Sequence, residues 1–417
     1  MRSWVGEGVK RLDGVEKVTG QAKFIDDLPI KACIVKVVRS TCAHGLIKRL
    51  DTSRAAVLPG VVGVITGTNP LVKRIGMCLE DQTPLAVDKV RYHGEPVACI
   101  VARDAQTASR AVKLVDVEYE DLPPLLDAEK AYHQSEILIH PGLGEYRHLA
   151  GFFPQPGTNV FHHFKIRRGD MAAAMAQADM ILENRFEIPL VQHVQIEPHG
   201  ALGIYNQGEG MLMHSSTQAP FIVRETLSRL LEMPLAAVHI RAPYLGGGFG
   251  GKSDVTIEPL LGLVLKAFPG KWCKLVLDRE EVFTGTVIGR GLTGYYRTAL
   301  SRDGVLLGAE IKLFWNGGGY GDYAVNIVTG GGVSACGPYE IPNLTVDSYG
   351  VYTNTPLVGA YRGYGHPETH WCMERHMDSI SRELGLSPVE LRLKNCLGPG
   401  KVNAIGQIIS GHNGDLA

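Results

Sequence analysis

Apolar residues recur along this chain with two different periods. Between Ala22 and about Asp127 short β-branched runs dominate: "CIVKVV", "VVGVIT", "VACIVA" and "LVDVEY". Turn-forming residues separate them, together with one stretch, "DAQTASRAVKLV", whose pattern predicts a helix. An α+β unit follows from this alternation. Farther along, Val223, Leu227, Leu230 and Leu231 fall on one face of a helix in "FIVRETLSRLLEMP". Ile257, Leu260, Leu261, Val264 and Leu265 do the same in "TIEPLLGLVLKAF". The helical pattern of "ETHWCMERHMDSISRELG" stops at Gly385, and "SPVE" predicts the next start. There Ser387 is the N-cap, Pro388 the first helical residue, and Glu390 completes a capping box. Between these regions "PGLGEYRHLAGFFPQPGTN" is rich in Gly and Pro and has no apolar period. The expected division is a first domain over residues 1–130, a linker over 131–165 and a second domain over 166–417.

A chain of 417 residues exceeds one ordinary core, and 45% hydrophobic with 20% charged residues is a globular balance. Lys+Arg 42 against Asp+Glu 43 leaves a net charge of -1, so no basic excess exists to track a phosphate backbone. Eight cysteines lie scattered without a C-x-x-C pair, which supports neither a disulfide framework nor a zinc or iron–sulfur site in this chain. The start, "MRSWVGEGVKRLDG", lacks the apolar core of a secretory signal, and no apolar run approaches the ~20 residues of a membrane span. A cytoplasmic location is expected.

Glycine is the outlier, with 50 residues that cluster instead of repeating. The densest cluster is "YLGGGFGGKSDV", in which Gly246 to Ser253 satisfies the phosphate-loop pattern G-x-x-x-x-G-K-[ST]. Such a loop requires a helix that opens at its Lys-Ser. A helix opening at Lys252 would hold Pro259 two turns inside, where proline costs ~3 kcal/mol. The apolar period starts only at Ile257, which argues for a later start and against a nucleotide loop.

Four further stretches change the picture: "QHVQIEPHG" (192–200), "SSTQAP" (215–220), "GGGFGGK" (246–252) and "GAYRGYGHPE" (359–368). Near the N-terminus stand "KRLDGVEKVTGQAKFIDDL" and "AHGLIKRLDTSRAAVLPGVVGVITGTN". In this order and with these separations the chain resembles the molybdenum hydroxylases: xanthine dehydrogenases, aldehyde oxidoreductases and nicotinate dehydrogenases. The resemblance runs from about Gly8 to about Leu397. It implies an α+β fold, an N-terminal "hammerhead" domain followed by the first part of a molybdopterin-binding domain. The implied cofactor is a molybdopterin, plain or as the cytosine dinucleotide, with a terminal sulfido or selenido ligand. Its metal is held by the pterin and not by side chains, so His193, His199 and His366 are expected to be structural. Carried over by motif, Gln218, Phe249 and Arg362 would stand nearest the metal. Gly247, Gly248, Gly250 and Gly363 would let backbone amides approach the cofactor. Buried Gln and Arg would supply its orienting donors, and Tyr364 would line a slot for a flat substrate.

Departures from the family bear on substrate and architecture. Purine-oxidising members carry Glu or Gln where this chain has Ser253, and mammalian-type xanthine enzymes carry Arg where it has Gly330. Both positions belong to the implied substrate pocket, so an unusual, larger or less polar substrate than xanthine is expected, while "SDVTIEP" resembles bacterial xanthine dehydrogenase subunits and keeps a purine open. Copper-containing CO dehydrogenases carry Cys where Gly363 stands, which argues against that branch. The family's base is a glutamate in a "GxGE"-type motif near the end of a molybdenum subunit nearly twice this length, and nothing after Leu397 is expected to supply it, so no catalytic residue is assigned to this chain. A second molybdopterin polypeptide is expected to carry it, with 2Fe-2S and FAD subunits as the route for electrons. The implied reaction is hydroxylation of an N-heterocycle or aldehyde with water as oxygen source. Two rival readings stay open: a nucleotide-binding protein, and a non-catalytic paralogue that helps assemble a complex.

Overall fold

A computed structural model describes residues 4–321 and 323–411. Its strands are β1 (Cys33–Arg39), β2 (Gly45–Asp51), β3 (Val61–Thr66), β4 (Lys89–Val90), β5 (Pro96–Ala102), β6 (Asp116–Asp121), β7 (Val160–Arg168) and β8 (Met180–Ile188). They continue with β9 (Gly200–Asn206), β10 (Gly210–Ser215), β11 (Val238–Arg241), β12 (Cys273–Val276), β13 (Leu292–Leu300), β14 (Leu306–Asn316) and β15 (Asn343–Val351). Three sheets result, ordered β11-β10-β9-β12-β1-β5-β3, β7-β15-β14-β13-β8 and β4-β2-β6. The fold is mixed α and β.

The seven-stranded sheet is built across the boundary expected at residue 130. β1 pairs in parallel with β12, with Cys33 opposite Cys273. β5, "PVACIVA", is buried from Val97 to Ala102 and reads as an apolar run because both its faces are covered. β8 alternates instead, exposing Glu183, Arg185 and Glu187 on one face.

The helices lie where the 3.6 period put them, at Pro220–Leu230, Glu258–Ala267 and His366–Leu384. Gly385, at φ 65, ends the last of these. The helix from Glu258 is buried on every side from Glu258 to Leu265, not along one face. It is wedged between β9, β12 and the helix 220–230, so closely that a Cβ on Gly262 would lie 2.6 Å from Leu227 Cδ2. At Pro388–Asn395 the expected capping box is absent, and the Ser387 side chain makes no cap bond. Tertiary ion pairs seat that helix, from Arg392 to Glu374 (2.7 Å) and Asp378 (2.8 Å). A capping box forms instead at Asp278 and Glu281.

Residues 131–165, the expected linker, are packed into the core: Ala131, Ile139, Leu143 and His140 are all buried. Asn159 makes this possible by donating to the carbonyls of Gln134 and Ile137 and accepting from Ile139 N–H (3.0 Å). The helix Ala324–Ser334 was not foreseen, because three glycines interrupt its pattern. Those glycines let it lie flat, since a Cβ on Gly331 would meet Trp315 at 2.2 Å and one on Gly332 would meet Phe164 at 2.5 Å. No described helix is long and apolar enough to cross a membrane.

Candidate functional site

Strand direction assembles the site. β10 and β11 run parallel, so the segments that leave them, 216–219 and 242–252, emerge at the same end of the sheet. β9 is antiparallel to β10 and β12 to β9, which brings the entry segment 192–199 and the exit segment 277–279 to that end as well. In the second sheet β14 and β15 are parallel, and their exits lead to Tyr323 and to the loop 359–365. Pairing of β13 with β14 places Arg290, just before β13, at the same end.

The glycine loop is tied down from behind. Glu197 Oε2 accepts from Gly246 N–H (2.9 Å) and from Lys252 Nζ (2.8 Å). His199 Nε2 donates to Gly251 O (2.8 Å), its tautomer set by Gln195 Nε2, which donates to Nδ1 (3.2 Å). Gln218 bridges the loop: its Oε1 accepts from the amides of Gly250 (3.0 Å) and Lys252 (3.3 Å). Those two donors fix the orientation of the Gln218 amide, so its NH₂ group is the end left for a ligand. Glycine at 248 lets Gln218 sit this close, since a Cβ there would lie 2.3 Å from Gln218 Oε1 and force the side chain to shift. Among the described residues the N–H groups of Gly247, Gly248 and Phe249 have no hydrogen-bond partner. Phe249 itself takes φ 54.

This geometry is not a nucleotide loop. Lys252 is 1% exposed and turned inward onto Glu197, and burial lowers its pKa against that carboxylate's pull. The helix opens at Glu258, beyond Lys252 and Ser253, with Pro259 in its first turn.

The arginine loop, 359–365, lies against the glycine loop. Arg362 N–H donates to Phe249 O (2.9 Å), and a Cβ on Gly250 would lie 2.4 Å from Ala360 O. His193 Nε2 donates to Ala360 O (2.8 Å) and Arg290 Nη2 to Tyr361 O (3.2 Å). Arg290, 1% exposed, also meets Glu368 Oε1 at 3.0 Å, while its Nε and Nη1 make no hydrogen bond. Tyr364, at φ 58, sets its ring edge-on to Tyr323 at 5.6 Å. His366 Nδ1 lies 3.0 Å from Gly363 O. The three histidines thus serve the backbone of these two loops. Complete burial pushes the His199 imidazole down to about 3 and burial lowers His193 as well, so both are neutral near pH 7.

Between the loops lies an open hollow of about 400 Å³. Gln218, Phe249, Gly250, Ser253, Arg362, Gly363 and Tyr364, all named from sequence, line it. Gly247 and Gly248 stand just behind in the glycine loop. Gly330 is outside, packed against the backbone of Tyr364, whose carbonyl a Cβ would approach to 3.2 Å. Tyr323, Ala360 and Tyr361 line the hollow without having been foreseen. Tyr361 was within reach as part of "AYRGYG"; Tyr323 precedes the unforeseen helix and carried no signal. Gln218 and Arg362 are exposed and not buried, because no described element covers the hollow on its outer side. None of the lining residues is acidic. A larger hollow, about 630 Å³, lies on the outer face of the five-stranded sheet. Ion pairs such as Arg297 with Glu183 (2.7 Å) and Glu310 (2.9 Å) lace it, as on a solvated face.

The chain belongs to the molybdopterin-dependent oxidoreductases related to xanthine dehydrogenase and aldehyde oxidase. The molybdopterin cofactor-binding domain matches residues 152–396, and the a/b hammerhead domain of aldehyde oxidase and xanthine dehydrogenase matches residues 19–123. The chain is 32% identical over 408 residues to the nicotinate dehydrogenase large molybdopterin subunit of Eubacterium barkeri, covering 97% of this chain and 92% of that subunit. It is 31% identical over 407 residues to the xanthine dehydrogenase molybdenum-binding subunit of Escherichia coli O157:H7, covering 95% of this chain but 52% of that subunit. Among solved structures, aldehyde oxidoreductase from Desulfovibrio gigas superposes with TM-score 0.86 at 27% identity, covering 97% of this chain and 45% of the other. Quinoline 2-oxidoreductase from Pseudomonas putida 86 does so with TM-score 0.86 at 28% identity, covering 98% and 52%. The nicotinate dehydrogenase subunit apart, the chain spans about half the length of these relatives.

Proposed function

We propose that this chain forms one side of the cofactor site of a molybdenum hydroxylase that oxidises an N-heterocycle or an aldehyde, with water as the oxygen source. The observation that carries the reading is the convergence of donors at one hollow. Gln218, Phe249 and Arg362 line it, the unbonded amides of Gly247 and Gly248 stand just behind in the glycine loop, and no acidic residue is among the lining. Such a set would suit an anionic cofactor, and it repels nothing negative. The fit therefore holds: Gln218 and the glycine-loop amides would hold the metal group, and Arg362 would meet its charge. When bound, the molybdenum group supplies the two-electron oxidation. The residues of this chain orient it, keep one wall of the hollow dry, and offer Tyr364, Tyr323 and Phe249 as flat faces for a ring.

A carboxylate to remove the proton from the attacking water has to come from outside the hollow's lining. We assign it to a second molybdopterin polypeptide, with electrons leaving through 2Fe-2S and FAD subunits. Ser253 offers the hollow no charged clamp, which favours an N-heterocycle less polar than xanthine. Nicotinate dehydrogenase and quinoline 2-oxidoreductase, both similar to this chain, carry N-heterocycles in their names. The cofactor is taken as a molybdopterin, plain or as the cytosine dinucleotide.

Native purification of the assembly, with molybdenum and pterin measured per chain, tests the reading. Stoichiometric molybdenum and turnover of a pyridine- or quinoline-type compound are expected. An assembly complete in its partners yet devoid of both would establish the non-catalytic alternative.

A further inference from the structure

The helix His366–Leu384 carries two exposed histidines about one turn apart, His366 and His370. Residues at i and i+4 of a helix share a face, and the two rings stand 5.9 Å apart, centroid to centroid, at 83°. His366 Nδ1 lies 3.0 Å from Gly363 O. A carbonyl oxygen only accepts, so in the neutral ring Nδ1 carries the proton and Nε2 keeps its lone pair. That is the tautomer, and the outer hydrogen bond, that a metal-ligating histidine ordinarily has. Among the described residues neither His366 Nε2 nor either nitrogen of His370 has a hydrogen-bond partner. Two imidazoles bound at ~2.0 Å to one ion stand ~5–6 Å apart, so the observed separation requires no backbone movement. Glu374, next along this face, is already engaged: its Oε1 accepts from Tyr339 OH (2.7 Å) and its Oε2 from Arg392 Nε (2.7 Å). No third His, Cys, Asp or Glu joins the pair among the described residues, which leaves the remaining coordination positions to water.

We propose that His366 and His370 form a site for an imidazole-seeking divalent cation such as Ni²⁺, Cu²⁺ or Zn²⁺, and that the bound ion braces the arginine loop through the hydrogen bond from His366 to Gly363. The positive end of the helix dipole lies at His366, so the field there opposes a cation and ligation has to hold it. That excludes Mg²⁺ and Ca²⁺, which take oxygen ligands. Gly363 lines the hollow, and an ion that fixes the His366 ring also fixes the carbonyl to which its Nδ1 donates. Neither histidine lines the hollow itself, so the cation site is separate from the cofactor site and does not depend on what the hollow binds.

Calorimetric titration of the full chain, stripped of divalent cations by a chelator, with Ni²⁺ and separately with Mg²⁺ tests the pair. Saturable binding of a single Ni²⁺ per chain, and none of Mg²⁺, is expected. His370→Gln removes a ligand but no hydrogen bond, so the melting temperature without metal should match wild type. Its Ni²⁺ affinity should fall ~10-fold or more, the scale on which even an outer partner of a ligand acts. His239→Gln, at an exposed histidine on β11, should bind Ni²⁺ as wild type does. Affinity unchanged in His370→Gln, lost equally in His239→Gln, or undetectable in wild type overturns the site. Amide hydrogen exchange across residues 359–365 should slow when Ni²⁺ is added to wild type and not when it is added to His370→Gln. Exchange there that Ni²⁺ leaves unaltered in wild type overturns the brace.

Discussion

Gln218 packs so tightly against Gly248 that a single added carbon at 248 would lie 2.3 Å from its side-chain oxygen. Gly248→Ala must therefore push Gln218 away from the amides of Gly250 and Lys252 or shift the loop. The expected cost is ~1–3 kcal/mol of stability, as for other overpacked sites. Molybdenum per chain and the urea unfolding midpoint should both fall, and a fully loaded variant of wild-type stability would refute the close fit.

Gln218→Glu keeps an oxygen for the Gly250 and Lys252 amides but replaces the NH₂ donor. Activity of the assembled enzyme should drop about 100-fold, the effect of losing one preorganised donor, while the melting temperature stays near wild type. Steady-state kinetics beside calorimetry checks this. Gln218→Ala should lower both.

Burial pushes His199 down to about 3 and His376 down to about 4, below the ~6.5 of an unfolded chain. On acidification the unfolded chain takes up these protons first. The stability contributed by the neutral rings is thus complete above about pH 6.5 and is lost as pH falls toward the folded values. Urea unfolding between about pH 6.5 and pH 4 should show stability falling by up to ~1.4 kcal/mol per pH unit for each such histidine. His199→Gln should remove one proton from that slope; an unaltered slope would mean that His199 is not buried in its neutral form.

Arg290 and Glu368, with side chains 1% and 12% exposed, form a buried pair behind the arginine loop. Glu368→Leu alone leaves the guanidinium without its counter-charge and should cost ~3–5 kcal/mol. Arg290→Met combined with Glu368→Leu should cost clearly less than the sum of the single changes. A double-mutant cycle by chemical denaturation measures the coupling, and additive effects would show that the pair is not coupled.

Ser253→Glu introduces into the hollow the carboxylate found in purine-oxidising relatives. The ratio of kcat/KM for xanthine to that for the preferred substrate should rise by about tenfold, the scale of one added polar contact. A ratio that stays constant would place substrate discrimination elsewhere.

Elements with a regular period were legible before any coordinates. The stripes from Val223 to Leu231 and from Ile257 to Leu265 became helices, and "CIVKVV", "VVGVIT" and "VACIVA" became strands. Glycine-broken elements were not: the helix Ala324–Ser334 hides its period behind three glycines whose reason lies in Trp315 and Phe164. The segment 131–165 looked like a linker because nothing local reveals that Asn159 satisfies its buried backbone. At the candidate site most lining residues were named from short motifs. Tyr323 was missed, and Gly330 lies against the Tyr364 backbone instead of lining the hollow, since both positions depend on how a distant helix packs against Tyr364.

The sequence by itself determined what rests on neighbours in the chain: helical faces, the helix end at Gly385, and two glycine-rich loops able to reach positive φ. It also determined the family, through the order and spacing of four motifs. Only the tertiary structure decided that Gln218, Phe249 and Arg362 meet. Their meeting follows from the parallel pairing of β10 with β11 and of β14 with β15, and strand order is not encoded in any local period. The fold likewise turned Lys252 inward to Glu197, removing the cation that made the loop resemble a nucleotide site. A buried ammonium goes to the carboxylate that neutralises it, and the partner's position is a property of the whole chain.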